Sequence, residues 1–384
     1  MKLISFKALI ILVFWSFLPV VMLGQVYTDT LSQQESEQLQ KRIEKELKKA
    51  ERKYVFQFLP IVYYTPETDW AFGAGGNFLF KFDLSDSLLP VSKVTPSFVY
   101  TLNNQMLARV DFDLYTNKKW RVFGDIGYYV YPYFFSGIGN KHQGNYKEYY
   151  DADYPRLNIN IYRHVFSDSI SIGLRYDYQN SNIIPFSGGL LESGKYPGYE
   201  GSVQSSLGTG FMYDSRNFPL ASTKGGYADI SIMWSDNWTG ATYSDQFVLI
   251  DLRKYFSVSK KEDVIAVQLY SEIHSGDVPF NLMAMLGGSE RMRGYREGLF
   301  RDRQMVVYQA EYRSRMFFKH FGFALFANLG GIGNDFQDVN NNYRYTVGGG
   351  LRFSPMAEER YFIRLDYGAG QNTQGFYIAV GEAF

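Results

Sequence analysis

Residues 105–115 read QMLARVDFDLY, and this stretch decides the fold class. Met106, Ala108, Val110, Phe112 and Leu114 fall on one parity, and Arg109, Asp111 and Asp113 on the other. A period of two is that of a β-strand, whose successive side chains point to opposite faces. The pattern returns downstream. Ile172, Leu174, Tyr176 and Tyr178 alternate with Ser171, Arg175, Asp177 and Gln179, and Ile363 and Leu365 alternate with Arg364 and Asp366. One such strand suits a two-sheet sandwich as well as a barrel.

Working outward from 105–115, the alternation begins near residue 55 and continues to residue 384, giving sixteen expected strands. Most run to about ten residues, the length a tilted strand needs to cross a hydrocarbon layer. The expected fold is therefore all-β: a 16-stranded antiparallel transmembrane β-barrel over residues 55–384. An even count returns both ends of the chain to one side, and closure removes the unpaired edge that lipid would not tolerate.

Composition agrees. Lys+Arg and Asp+Glu number 39 each, so no net field points to nucleic acid or to acidic partners. Tyr and Phe number 32 each, Gly 36 and Cys none. Aromatic girdles beside an alternating polar lumen produce this balance. The absence of Cys excludes a lipidated N-terminal cysteine.

Ahead of the strands the sequence changes character. Lys2 and Lys7 precede the apolar run 8–23, and Gly24 offers a small residue before Gln25, so residues 1–24 read as a signal peptide. Residues 25–54 read as a periplasmic linker. Within it, Leu39, Ile43, Leu47 and Ala50 recur at three- and four-residue spacing, the signature of an amphipathic helix over 31–54. Export to a Gram-negative outer membrane follows as the expected location. Turns expected at 116–119, 165–168, 257–262 and 315–319 are short, and loops expected at 135–153, 181–200, 275–301 and 331–342 are longer. The parity holds from the fourth strand on, except for a long turn at 214–224, and is not visible before it; with a periplasmic N-terminus it corresponds to loops outside and turns in the periplasm.

Three segments go beyond a generic barrel: LGGSERMRGY at 286–295, YDSRNFPLASTKGG at 213–226, and a C-terminal run holding GGGLRFSP, RYFIRLDYGAG and YIAVGEAF. Together they resemble the BamA/TamA superfamily of outer-membrane assembly and translocation factors, over about 330 residues. A loop of about 27 residues between strands eleven and twelve is long enough to fold into the lumen. There Arg293 could present its planar donor fork to a carboxylate, Gly294 could allow a tight turn, and Tyr295 could wedge against the wall. The resemblance implies acidic partners for this arginine on the following strands. Glu311 has the right parity, and Asn328 stands where the family commonly has an aspartate. Asp214 and Arg216, with Pro219 and Gly225, mark a family turn. Arg364 and Asp366 share the lumen face. Phe384 fits the terminal aromatic signal read by barrel assembly machinery, with Phe376, Ile378 and Val380 on its face.

The resemblance implies insertion or translocation of proteins, or of lipids, at the outer membrane. The expected partners are outer-membrane lipid, the assembly machinery during biogenesis, and a client outer-membrane or secreted protein. The 30 residues before the first strand look helical and fit no periplasmic POTRA module, so a member without these modules is expected. A transport pore, or an outer-membrane port for a separate periplasmic partner with 31–54 as plug or dock, is the alternative. No enzyme is expected: His142, His164, His274 and His320 fall in no nucleophile motif, and no metal or cofactor spacing is present.

Overall fold

The computed structural model describes residues 54–85, 89–140, 147–219, 221–258, 263–354 and 362–384. The leader expected at 1–24 and the helix expected at 31–54 lie outside the described residues. The exception is Tyr54, which opens the first strand instead of closing a helix.

Sixteen strands form the wall: β1 (Tyr54–Thr65), β2 (Asp69–Phe80), β3 (Ser92–Thr101), β4 (Met106–Asn117), β5 (Trp120–Val130), β6 (Glu148–His164), β7 (Ile170–Pro185), β8 (Gly201–Asp214), β9 (Gly225–Ser235), β10 (Asp245–Ser257), β11 (Val264–Gly276), β12 (Gln304–Arg313), β13 (Phe321–Gly333), β14 (Arg344–Phe353), β15 (Ile363–Gly370) and β16 (Thr373–Val380). Each pairs antiparallel with its sequence neighbours, and β16 returns to β1, which closes the barrel. The alternation that announced the strands sorts their side chains. On β7, Ile172 and Leu174 face outward at 50% and 60% exposure, while Arg175 points inward to Asp229 of β9. An exposed apolar belt is the surface a barrel offers to lipid.

Strand lengths differ from the sequence reading on one side. β6 and β7 run to 17 and 16 residues, longer than expected, because residues 148–153 and 181–185 continue the ladder instead of forming loop. Tyr133–Phe135 resumes the line of β5 and pairs with the same extension of β6. This tongue supplies Tyr133, Phe134, Phe135, Tyr150 and Ile183 to a buried cluster that also takes in Leu191 and Phe280 from two loops. Glu148 ties the top down by accepting the Leu191 N–H at 2.9 Å. β15 and β16 have only 8 residues each, so the wall is lowest beside its closing joint.

That joint is also the least paired. β1 and β2 align over twelve residue pairs and β15 and β16 over eight, whereas β1 and β16 share a single pair, Tyr64 with Ile378. This contact lies near the loop end of β1. There Tyr64 also meets Phe376, with ring centroids 6.0 Å apart.

The C-terminal residues depart from expectation too. β16 ends at Val380, and at Gly381 the chain turns (φ 81°). Phe384 therefore does not continue the outward face of Phe376 and Val380. It is buried inside the turn end of the barrel with Tyr255, Val264 and Ala266. Glu382 turns inward and pairs with Arg352 at 2.8 Å.

Candidate functional site

The loop from 277 to 303 folds back into the lumen. A short hairpin, Ala284–Leu286 with Phe300–Asp302, forms its neck. Its flank is apolar: Leu286, Met292, Tyr295 and Phe300 pack with Met305, Val307 and Ile332 of the wall. Burial of this cluster favours insertion, since apolar area removed from water contributes about 25 cal/mol per Å². Arg301 is fully buried at the neck, and its guanidinium donates to the carbonyls of Phe134 (2.9 Å) and Phe280 (3.3 Å). The loop and the tongue are thereby joined across the loop end of the barrel.

At the tip, Arg293 has no exposed surface. Its fork spreads over two strands. Nη1 donates to Asp366 of β15 at 2.6 Å, and Nη2 donates to Glu311 of β12. The face of the guanidinium lies 3.6 Å from the ring centroid of Phe326 on β13. A planar cation with two edges on carboxylates and one face on an aromatic ring is an arrangement lysine cannot copy. Asn328, the other partner expected from sequence, is outside this clamp. Its amide donates to Thr346 of β14 at 2.8 Å. The register explains the difference: Glu311 lies opposite Phe326, and Asn328 lies opposite Gln309, one inward-facing step toward the loop end.

The clamp belongs to a larger network. Arg313 donates to Glu311 at 2.8 Å, Arg352 to Asp366 at 2.6 Å, and Arg364 to Asp366 at 3.0 Å and to the Ser289 carbonyl at 3.0 Å. Four buried guanidiniums thus share Glu311, Asp366 and Glu382. Arg313 also donates to a main-chain oxygen of Phe384 at 2.8 Å, so the inward hook of the terminus closes the network from below.

Gly294 and Gly368 make the loop's close approach to β15 possible. Gly294 sits at φ 114°, and a Cβ on Gly368 would lie 2.4 Å from the Arg293 carbonyl oxygen. The Gly294 N–H donates to the Tyr377 hydroxyl at 2.9 Å, and Thr373 donates to the Gly294 carbonyl at 2.7 Å; both partners stand on β16. Tyr295 stacks edge-on against Phe300 at 5.8 Å. Sequence reading placed Asp366 in the lumen without linking it to Arg293, and it missed Tyr377, Thr373 and Phe326. Parity could have found the inward positions of Asp366, Tyr377 and Phe326, but only the register joins them to the loop.

The turn motif is a separate structure at the opposite end. Arg216 holds Asp214 with two donors, at 3.0 and 2.8 Å, and packs over Tyr227 at 4.3 Å. It also reaches the Pro219 carbonyl at 3.5 Å, and Gly225 opens β9. Among the described residues of that turn, none is bonded to the loop clamp.

The Omp85 superfamily domain matches residues 72–384. This chain belongs to the Omp85 superfamily. It is an outer-membrane β-barrel of that group. Among solved structures it is similar to BamA from Haemophilus ducreyi lacking POTRA domains 1–3, at 15% identity and a TM-score of 0.61, covering 86% of this chain and 70% of that one. CdiB from Acinetobacter baumannii gives 12% identity and 0.51, with coverages of 88% and 67%. CdiB from Escherichia coli gives 11% and 0.54, with coverages of 84% and 62%, so this chain spans less than two thirds of that structure. At these identities the likeness is one of fold. No curated sequence matches the chain.

Proposed function

We propose that this Omp85 barrel inserts or translocates proteins, or lipids, at the outer membrane, and that its working part is the joint between β1 and β16. The observation carrying this reading is the single residue pair, Tyr64 with Ile378, that closes a barrel otherwise paired over eight or more residues near the joint. Strands left unpaired beside lipid are costly unless another strand can add to them. The low wall at β15 and β16 would also thin the adjoining bilayer, easing insertion there. Residues 1–24 act as a cleaved leader in this reading, so the mature protein should begin at Gln25. The clients are unfolded outer-membrane or secreted chains, and no catalytic step is involved.

The test uses the absence of native cysteine. Tyr64→Cys with Ile378→Cys should form a disulfide across the joint. Proteoliposomes carrying the reduced pair should speed folding of an added unfolded barrel protein, and oxidation should abolish that gain. Equal rates before and after complete oxidation would remove the joint from the mechanism.

A pore or port is the second reading. The lumen away from the loop favours it, where Arg121–Asp113, Arg175–Asp229 and Arg253–Asp251 present a polar wall. Deleting residues 31–53, which spares Tyr54 of β1, should then raise single-channel conductance. An unchanged conductance would remove the plug.

A further inference from the structure

The joint between β1 and β16 is weak in strand pairing, yet both of its sides are fastened to one short piece of the lumen loop. On the β16 side, the Tyr377 hydroxyl accepts the Gly294 N–H at 2.9 Å and lies 3.4 Å from the Tyr295 carbonyl, while Thr373 donates to the Gly294 carbonyl at 2.7 Å. On the β1 side, the turn from β1 to β2 carries Glu67. Its side chain is turned inward, 4% exposed, and accepts the Glu297 N–H at 2.8 Å. The Glu67 carbonyl is itself fixed by the Asn103 side-chain amide at 2.7 Å, which ties the turn to the next hairpin. Between Gly294 and Glu297 the backbone is held further by Tyr133, whose hydroxyl donates to the Glu297 carbonyl at 2.8 Å.

We propose that the segment from Gly294 to Glu297 is a strap across the joint. It is fastened to β16 by Tyr377 and Thr373 and to the β1–β2 turn by Glu67, so that loop docking holds β1 beside β16 where strand pairing does not. The two attachments are in series. A strap released at either end no longer spans the gap, and cutting both ends adds little to cutting one. The Arg293 clamp, anchored on β12 and β15, sets the loop's depth and thereby the strap's position. A client or partner that draws the loop off Glu67 would open the joint without contacting either strand. This deepens the proposed function by supplying regulation for its joint, but the strap's geometry stands whether or not the barrel handles clients.

The experiment needs no client. The full chain, refolded in lipid bilayers, carries nitroxide labels on cysteines replacing Val62 of β1 and Val380 of β16, both exposed on the outer face. Pulsed electron paramagnetic resonance then reads the distance across the joint. Glu67→Ala removes one attachment, and Tyr377→Phe with Thr373→Val removes the other. Each should raise the population of long distances several-fold, and the combined variant should match either alone. Glu67→Gln keeps an oxygen acceptor and should match the parent. Heat-modifiable mobility on gels confirms that each barrel is folded. If the β16-side variant does not fold, Glu67→Ala against Glu67→Gln decides. Distances in Glu67→Ala that superimpose on the parent, or effects of the two cuts that simply add, would overturn the strap. A barrel that shows the strap but does not accelerate client folding would sink the proposed function and leave this inference intact.

Discussion

Arg293 and Asp366, 73 residues apart in the chain, meet at 2.6 Å with neither side chain exposed to solvent. Their pairing joins the loop that fills the lumen to β15, next to the barrel's closing joint. A buried pair of this kind contributes little net stability compared with an apolar substitute, but removing one partner leaves a buried charge uncompensated. The arrangement therefore makes loop position sensitive to single residues.

Arg293→Ala should destabilise the barrel by about 3 kcal/mol, the lower end for breaking a buried ion pair, because Arg313, Arg352 and Arg364 remain to share the carboxylates. The measurement is urea unfolding in lipid vesicles followed by tryptophan fluorescence. Arg293→Lys should recover only part of the loss, since one ammonium cannot reach two strands and cover Phe326 at once. Full recovery by lysine would show that charge alone matters at this position.

Gly368→Ala tests the close approach of loop and wall. The added methyl would meet the Arg293 carbonyl at 2.4 Å, a backbone atom that cannot rotate away. Overpacking of this kind costs about 1–3 kcal/mol, and here the loop should yield before the strand does. Trypsin cleavage after Arg291 or Arg293 in reconstituted barrels should accelerate at least several-fold. Gly226→Ala, whose methyl would find its nearest neighbour at 3.3 Å, should leave the cleavage rate unchanged.

Glu297 gives the loop a pH dependence. Burial pushes its carboxyl up to about 7; Arg291 opposes the shift, and Glu67, Glu290 and Glu272 reinforce it. Tyr133 and Tyr131 line the same space. A raised pKa means that the docked loop binds more protons than the released one. Docking is then at full strength below the ordinary glutamate range, about pH 4.3, and weakens as pH rises through 7. The side chain keeps 37% of its surface accessible, so the change should be modest. Protease sensitivity of the loop should rise between about pH 5 and about pH 8, with Glu297→Gln flattening the curve. An equal rise in Glu297→Gln would assign the effect to another group.

How much of this was legible in the sequence depends on the range of the interaction. The strands show in segments such as 105–115 because a side-chain period of two is a local property. The count of sixteen follows from repetition. The tongue at 148–153 was not legible, because residues such as Asp151 and Asp153 read as loop although the ladder continues through them. In the clamp, parity points to Glu311, and Arg293 meets it in the structure. Family position points to Asn328, but register puts Phe326 at that level instead. Glu67 offered no signal at all, since a Glu in a PETD turn is ordinarily solvated, and only the fold turns it inward.

Phe384 separates two roles that the sequence merged. A terminal aromatic that served only as an assembly signal would matter while the barrel is being inserted and not afterwards. Here the ring is packed inside with Tyr255 and Ala266, 5.2 Å from the Arg313 guanidinium. Phe384→Ala should therefore destabilise the refolded barrel in the absence of any assembly machinery, by about 3 kcal/mol for loss of a buried ring. It should also loosen Arg313 from Glu311, making its effect less than additive with Arg313→Ala. Urea unfolding of the two single variants and the double variant measures that coupling. Unfolding midpoints in Phe384→Ala equal to the parent, with a defect seen only on assembly in cells, would return the residue to a signal alone.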